Sequence, residues 1–294
     1  MKRFGFYIVG KKGFDCLSAF VEEFGSLYVS FVVSSRDINV KNDYFQDIKY
    51  FCEANDVFFS DRLSLNKRES SLSFAIGWRW LIHDDDNLVV FHDSILPRYR
   101  GFAPLVNALI NGEKNIGVTA LRADSKYDAG NIIGQNSIEV IYPKKIADAI
   151  DEITKLYIRL LLDISRKTIN GESLLYIEQD HSKASFSPWR DEDDYSINWS
   201  KSAEYISRFI DAVGYPYLGA KSRINGEDIL INDSIALNDV FVEDRSSHIG
   251  KIIFMTEGRP TIICGEGLIE LIDVVNSKGE SLIGKIPFRT RFGS

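Results

Sequence analysis

The segment VVFHDSILPRYRG, residues 89–101, runs three apolar residues into a histidine. An aspartate and a serine follow, then a proline, two arginines flanking a tyrosine, and a glycine. That order reads as a strand that stops abruptly and delivers polar side chains to one edge of a sheet. Pro97 and Gly101 make the following loop rigid and sharply turned. Further on, RADSKYDAGNIIGQ (122–135) sets Asp128 two residues before Gly130, in a loop that enters a strand. If both loops share one sheet edge, His92 and Asp128 meet. A carboxylate beside an imidazole fixes its tautomer and stabilises its charged form, which makes a general base with an orienting partner. Each residue alone also has a plainer reading: His92 as a satisfied edge residue, Asp128 as a turn or cap residue.

Other chemistries find less in the chain. His83, His92, His181 and His248 show no metal-ligand spacing, so no metal is expected. A P-loop, a GxGxxG and a GxSxG are all missing, so a glycine cradle for a nucleotide cofactor is not indicated. Cys16, Cys52 and Cys264 are scattered and odd in number, which points to reduced thiols in a cytoplasm. The formal charge of -7 argues against a nucleic-acid partner. No apolar run approaches the roughly 18 to 20 residues that span a bilayer. The start, MKRFGFYIVGKKGFD, reads as a buried strand rather than a signal peptide.

The elements that must position the two loops alternate in type. Strands are expected over 3–10, 27–35, 56–60, 72–82 (β-rich at its start), 87–94, 115–124 and 131–140. Helices are expected over 14–25, 45–55, 102–113 and 144–172, the last stopping at Asn170-Gly171. Near-continuous apolar strands alternating with helices predict a parallel-rich sheet covered on both faces. Such sheets bind ligands beyond the carboxyl ends of their strands, which is where His92 stands. Residues 178–199 are polar and aperiodic, and read as a connection. A helix over 200–214, with a serine cap, precedes short strands joined by INGED and CGEG hairpins. These strands predict a small β-barrel. At 294 residues the chain has room for two domains: 1–177, a linker over 178–200, and 201–294.

FHDSILPRYRGFAPLVNALINGEKNIGVTAL followed by YDAGNIIGQ resembles the folate-dependent formyltransferases, with their HxSLLPxxRG and DxG loops. INWSKSAEYISRFIDAVGYPYLGAKSRINGEDILI resembles the linker and C-terminal barrel shared by methionyl-tRNA formyltransferases and some sugar N-formyltransferases. The likeness runs from about residue 72 onward and is weaker before it. The resemblance implies a Rossmann-like α/β catalytic domain followed by an OB-like β-barrel. It implies 10-formyltetrahydrofolate as formyl donor, with no metal, and a substrate amine as acceptor. His92 and Asp128 match the family's catalytic pair. Gly77, Trp78, Arg79, Trp80 and Ile82, with Asp124 and Asp128, would line the pterin pocket. Without the resemblance, GWRWL is as well read as a core segment. One position departs. The family reads Asn-x-His, and residue 90 is Val90, which donates no hydrogen bond. Losing one oxyanion donor costs about 2.7–4 kcal/mol of barrier.

The acceptor follows from charge. Residues 201–294 hold eleven Lys and Arg against thirteen Asp and Glu. An acidic barrel repels a polyphosphate, so a nucleotide-linked amino deoxysugar is preferred over tRNA. Arg98, Arg100 and Lys126 are candidate pyrophosphate contacts, with Ser94, Tyr99 and Tyr127 beside them. Each has a plainer reading as a solvated loop charge or as packing. The expected role is glycan-precursor modification in the cytoplasm, without nucleic acid or membrane, and homodimerisation is left open. The rival readings are a methionyl-tRNA formyltransferase, hydrolysis of the formyl donor, and a catalytically silent folate- or nucleotide-binding homologue.

Overall fold

The computed structural model describes residues 1–38, 40, 42–64, 68–83 and 87–293. Its contacts divide into two units. One comprises Met1–Leu105, Lys114–Val140 and Asp148–Pro188; the other comprises Val106–Glu113, Ile141–Ala147 and Trp189–Ser294. The division is therefore not contiguous in sequence. Residues 178–188 pack with the first unit.

The first unit is built on β1 (Phe4–Ile8), α1 (Gly10–Phe24), β2 (Val29–Ser34), α2 (Phe45–Ala54), β3 (Phe59–Asp61), β4 (Leu72–Ile76) and β5 (Leu88–His92). A two-residue strand β6 (Arg100–Gly101) and α3 (Pro104–Ile110) lead to β7 (Asn115–Arg122) and β8 (Ile132–Glu139). The long α4 (Ile146–Ile169) and the short β9 (Phe186–Ser187) follow. Seven strands form one sheet in the order β3-β2-β1-β4-β5-β7-β8. Pairings from β3 across to β5 are parallel; β5–β7 and β7–β8 are antiparallel. Every residue of β1, β2 and β4 is buried, as strands covered on both faces must be.

Aromatic packing sets the layers. Phe4 and Phe6 meet Phe20 of α1 edge to face, and Phe91 of β5 stacks on Tyr157 of α4 at 5.3 Å. A second cluster joins Tyr7, Phe31, Val33, Ala75 and Leu88, closed by Phe58, Trp78, Ile82 and Val90. β2 and β4 lie on opposite sides of β1. The carboxyl ends of β1 and β4 therefore flank a topological switch point, where open α/β sheets bind ligands.

The second unit holds α5 (Ala203–Val213), β10 (Ala220–Ile224), β11 (Glu227–Leu237), β12 (Ile252–Thr256), β13 (Arg259–Ile263) and β14 (Leu268–Asn276). Ser202 caps α5, its hydroxyl accepting from Tyr205 N at 3.2 Å. The sheet is antiparallel in the order β10-β11-β14-β13-β12. Asn225 and Gly226, both at positive φ, turn the INGED hairpin. Phe292 bridges Ile224 while Arg291 bridges Lys251, so the chain's last residues reach both ends of the sheet.

The parallel-rich α/β unit and the β-rich second unit agree with the expected fold class. Two local differences matter. α1 starts at Gly10, straight off β1, rather than at Phe14. The strand expected over 72–82 ends at Ile76, because Gly77 turns the chain at φ 65°. The three cysteines are free and buried, and burial pushes the Cys52 and Cys264 thiols up to about 12.

Gly5 is a packing requirement of this sheet. A Cβ there would lie 2.3 Å from the Phe31 ring. Gly5→Ala is expected to cost about 1–3 kcal/mol through overpacking, read as a lower urea midpoint with an unchanged slope.

Candidate functional site

His92 is the last residue of β5 and is 7% exposed. Its Nε2 lies 2.7 Å from the carbonyl oxygen of Tyr99. A carbonyl only accepts, so Nε2 carries the proton and the neutral ring keeps its lone pair on Nδ1. Nδ1 faces Asp128 Oδ1 at 3.6 Å, outside hydrogen-bond reach. The carboxylate is near enough to stabilise a charged imidazole. The backbone of Tyr99, rather than Asp128, orients the ring.

The loop after β5 is held by its own polar groups. Ser94 Oγ donates to the Arg98 carbonyl at 2.8 Å, and Thr119 Oγ1 donates to the Ser94 carbonyl at 2.7 Å. Gln135 Nε2 donates to the Leu96 carbonyl and to Thr119 Oγ1, both at 2.8 Å. Ser94 is buried, and its hydroxyl closes the loop. Tyr99 sits at φ 59°, which turns its carbonyl back on His92. The Arg98 guanidinium lies over the Tyr99 ring at 5.3 Å.

Asp128 comes from the loop between β7 and β8. Its Oδ2 accepts from Gly101 N at 2.8 Å. Gly130 permits the loop to close, since a Cβ there would stand 1.9 Å from the Arg122 carbonyl oxygen. Asp124 Oδ1 accepts from Lys126 N at 3.0 Å, and that hydrogen bond is the main reason its carboxyl lies below the usual range. Lys126 and Tyr127 are exposed on the same loop.

A cavity of about 880 Å³ opens here, lined by residues including Arg100, Phe102, Lys126, Tyr127, His181 and Phe186. Asp124 also lines it, whereas His92, Asp128, Ser94, Arg98, Tyr99 and the 77–82 segment do not; the cavity borders Asp128 through its neighbours Tyr127 and Ala129. Arg100 is 5% exposed, and its Nε and Nη2 are committed to Gln179 Oε1.

The expected pterin-lining segment sits at the ends of β1, β2 and β4. Trp78 packs edge-on against Tyr7 at 5.5 Å and Trp80 at 5.0 Å. Its Nε1 is buried without a hydrogen-bond partner among the described residues. Arg79 pairs with Asp37 at 2.7 Å, the Arg62 guanidinium lies over Trp80, and Ile82 packs on the Tyr7 cluster. Among the described residues, no group of three or more His, Cys, Asp or Glu is placed to hold a metal ion.

Sequence reasoning missed the groups that stand behind these loops. Gln179 and His181 fall in a stretch whose polarity reads as linker. Asp93, directly after His92, was visible but unassigned. Its carboxylate pairs with Lys12 Nζ at 2.5 and 2.6 Å and accepts from the Tyr157 hydroxyl. Burial alone raises the Asp93 carboxyl. The Lys12 charge and hydrogen bond, with the Tyr157 hydroxyl, outweigh it, and the net shift is downward. Burial, then the Asp93 charge, pushes the Tyr157 phenol well up.

With the geometry set out, similarity to known proteins can be read. The Formyl transferase family model matches residues 80–162, and the model of the formyl transferase C-terminal domain matches 190–285. The chain belongs to the formyltransferase family. A methionyl-tRNA formyltransferase of Streptococcus agalactiae is 32% identical over 183 residues, which is 62% of this chain and 56% of that relative. The chain thus matches little more than half the length of such curated relatives. An N-formyltransferase from Helicobacter canadensis, solved with folinic acid and dTDP-3-aminofucose, superposes with TM-score 0.70 at 18% identity. The match covers 92% of this chain and 99% of that one. WlaRD, a sugar 3N-formyl transferase solved with dTDP and 5-N-formyl-THF, gives TM-score 0.68 at 18% identity, covering 92% and 97%. At that identity the likeness speaks to the fold.

The part-buried Asp93 carboxylate, paired with Lys12, makes the fold sensitive to acid. Its folded carboxyl value lies below the unfolded one. The stabilisation is therefore present above the unfolded value of about 3.9 and lost as pH falls through the folded value. Asp93→Asn is expected to cost about 1–3 kcal/mol at neutral pH, because Lys12, only 11% exposed, loses its carboxylate. Urea midpoints measured from about pH 7 down to 3 should show that deficit narrowing in acid.

Proposed function

We propose that this protein transfers a formyl group from 10-formyltetrahydrofolate to the amine of a nucleotide-linked amino deoxysugar. The observation that carries the chemistry is the orientation of His92. Its Nε2 is fixed on the Tyr99 carbonyl and its basic Nδ1 faces the Asp128 carboxylate. An amine must be neutral to attack a formyl carbon and must shed a proton as the amide forms. His92 Nδ1 takes that proton, and Asp128 stabilises the resulting imidazolium. Water is largely excluded, since both side chains are mostly buried.

When bound, the folate supplies the activated formyl group. Gly77, Trp78, Arg79, Trp80 and Ile82, with Asp124 and Asp128, are the residues proposed to hold it. Their chemistry fits a flat heterocycle. Trp78 offers a buried indole N–H without a partner among the described residues, and Gly77 turns the chain so that backbone groups are accessible.

The cavity supports the acceptor. Its size, about 880 Å³, falls in the range of roughly 300–1,000 Å³ usual for small-molecule sites. Phe102, Tyr127 and Phe186 offer ring faces to a base or sugar, and Lys126 offers charge to a pyrophosphate. Arg100 fits less well as a phosphate ligand, because its fork is occupied by Gln179. Arg98, Tyr99 and Ser94 are proposed to act around the mouth and in holding the loop. Solved sugar N-formyltransferases with dTDP ligands share the fold, which also favours this acceptor. The methionyl-tRNA formyltransferase reading rests on the sequence relatives. The acidic second half, eleven basic against thirteen acidic residues over 201–294, weighs against it. A cytoplasmic role in glycan-precursor synthesis follows from the nucleotide-sugar reading.

The deciding assay offers 10-formyltetrahydrofolate with UDP-, dTDP- and GDP-linked amino sugars, and with charged initiator tRNA as the rival. Turnover on an amino sugar is expected. His92→Ala should abolish it with folding intact, and Asp128→Asn should lower kcat by about a hundredfold or more. Activity retained in His92→Ala, or turnover on tRNA alone, overturns the reading.

Val90 gives a second test. It is half-buried and packs on the Tyr7 cluster and on Leu96, Leu121 and Ile132. It gives no donor to the negative charge that develops on the formyl oxygen. Val90→Asn is expected to raise kcat by up to about a hundredfold. The same substitution should lower stability by about 1–3 kcal/mol, because it buries an amide in an apolar seat. A kcat that stays level or falls would mean that another group already serves as donor.

A further inference from the structure

We infer that Gln179 is a positioning residue for Asp128, acting on its backbone; the inference rests on the acid–base role proposed above. Asp128 lies in the left-handed region at φ 52°. A non-glycine residue there persists only when its surroundings hold it. Two carbonyls bracket the strained turn, those of Asp128 and Gly130. Both point at one atom, Gln179 Nε2, at 2.8 and 2.7 Å. A side-chain amide has two N–H donors, and both are spent on this turn.

The other end of the Gln179 amide is fixed as firmly. Its Oε1 accepts from Arg100 Nη2 at 2.7 Å and Nε at 3.3 Å. Arg100 Nη2 also donates to His181 Nδ1 at 2.9 Å, so His181 carries its proton on Nε2. Gln179 and Arg100 are 4% and 5% exposed. Water therefore competes weakly for these bonds, and loss of any of them leaves a buried polar group unsatisfied.

The chain that carries Gln179 continues along the first loop of the site. Ser185 Oγ accepts from Tyr99 N at 2.9 Å, and the carbonyls of Ser185 and Ser187 accept from Arg100 N and Phe102 N, both at 2.8 Å. These bonds fix the Tyr99 carbonyl that holds His92 and the Gly101 N–H that holds Asp128. Residues 179–187 thus clamp both partners at once. Within that clamp Gln179 alone bonds the Asp128 turn through its side chain, among the described residues. A shift of the turn moves the carboxylate away from His92, and it also moves the neighbouring Tyr127 and Ala129, which line the cavity. That predicts a fall in kcat that exceeds any rise in KM for the acceptor.

Gln179→Ala strips Arg100 of its acceptor and destabilises the chain for that reason alone. Gln179→Glu keeps the acceptor for Arg100, removes both donors to the turn and sets a carboxylate oxygen against the Asp128 and Gly130 carbonyls, so it pushes the turn directly. In Gln179→Glu, kcat is expected to fall about tenfold or more, a larger change than in KM for the acceptor. In an Asp128→Asn background the same substitution should change kcat by less than about twofold, because its route runs through Asp128. Equal losses in both backgrounds overturn the inference. A second measurement needs no activity. Hydrogen exchange of the Gly101 amide reports its bond to Asp128 Oδ2, and should speed up about tenfold or more in Gln179→Glu. Unchanged exchange overturns the inference. A wild type with no turnover on any amine overturns the functional reading instead, and the Gly101 amide then decides for Gln179.

Discussion

The hydrogen bond from His92 Nε2 to the Tyr99 carbonyl determines which ring nitrogen can act as a base, and much of the first unit serves to hold that carbonyl in place. A histidine at a strand end has two rotatable bonds and two tautomers. One carbonyl at 2.7 Å fixes both the orientation and the tautomer. The carbonyl reaches back because Tyr99 takes a left-handed conformation, and Ser185 secures Tyr99 from the far side. The loop between them is tied to β7 and β8 through Thr119 and Gln135. The base is thus anchored on backbone rather than on another titratable group. Its orientation does not depend on the charge state of Asp128, and the carboxylate is left for electrostatics.

That division explains the looseness of the His92–Asp128 pair. At 3.6 Å the carboxylate is not a hydrogen-bond partner of the neutral ring. It becomes a strong one once Nδ1 is protonated and the ring carries charge. Stabilisation that appears only as the proton moves lowers the barrier rather than the ground state. A second carboxylate, Asp93, sits directly beside the histidine in sequence and is neutralised by Lys12 and Tyr157. Lys12 comes from α1 and Tyr157 from α4. The pair therefore ties two helices to the end of β5 while cancelling a charge that would otherwise compete with Asp128 for the imidazolium.

The sheet and its helices were legible because buried parallel strands read as apolar runs. VVF before His92 and FAI before Gly77 announce their strands without any long-range information. His92 and Asp128 were legible for a different reason, since a polar residue directly after such a run has to emerge at a sheet edge. Gln179 was not, and Arg100 was read as a pyrophosphate contact rather than as the partner of Gln179. Their roles depend on a segment some fifty residues from Asp128 returning to the same edge. A polar stretch that pairs through backbone and buried amides has the composition of a linker. Likewise GWRWL continues the apolar run of 72–82 and reads as a core segment, and the left-handed turn at Gly77 is what separates it from β4.

Val90 shows how the two demands on β5 collide. A strand buried on both faces gains from apolar side chains at every position, and Val90 joins two apolar clusters that flank the strand. A catalytic edge wants a donor at that same position, one alternation before the histidine. An amide there would have to find partners for all of its polar atoms amid Leu96, Leu121 and Ile132, or leave them unsatisfied until substrate arrives. Valine resolves the conflict in favour of the fold. On the proposed reading, the charge on the formyl oxygen is then met from elsewhere in the site, since both His92 ring nitrogens already face partners, the Tyr99 carbonyl and the Asp128 carboxylate.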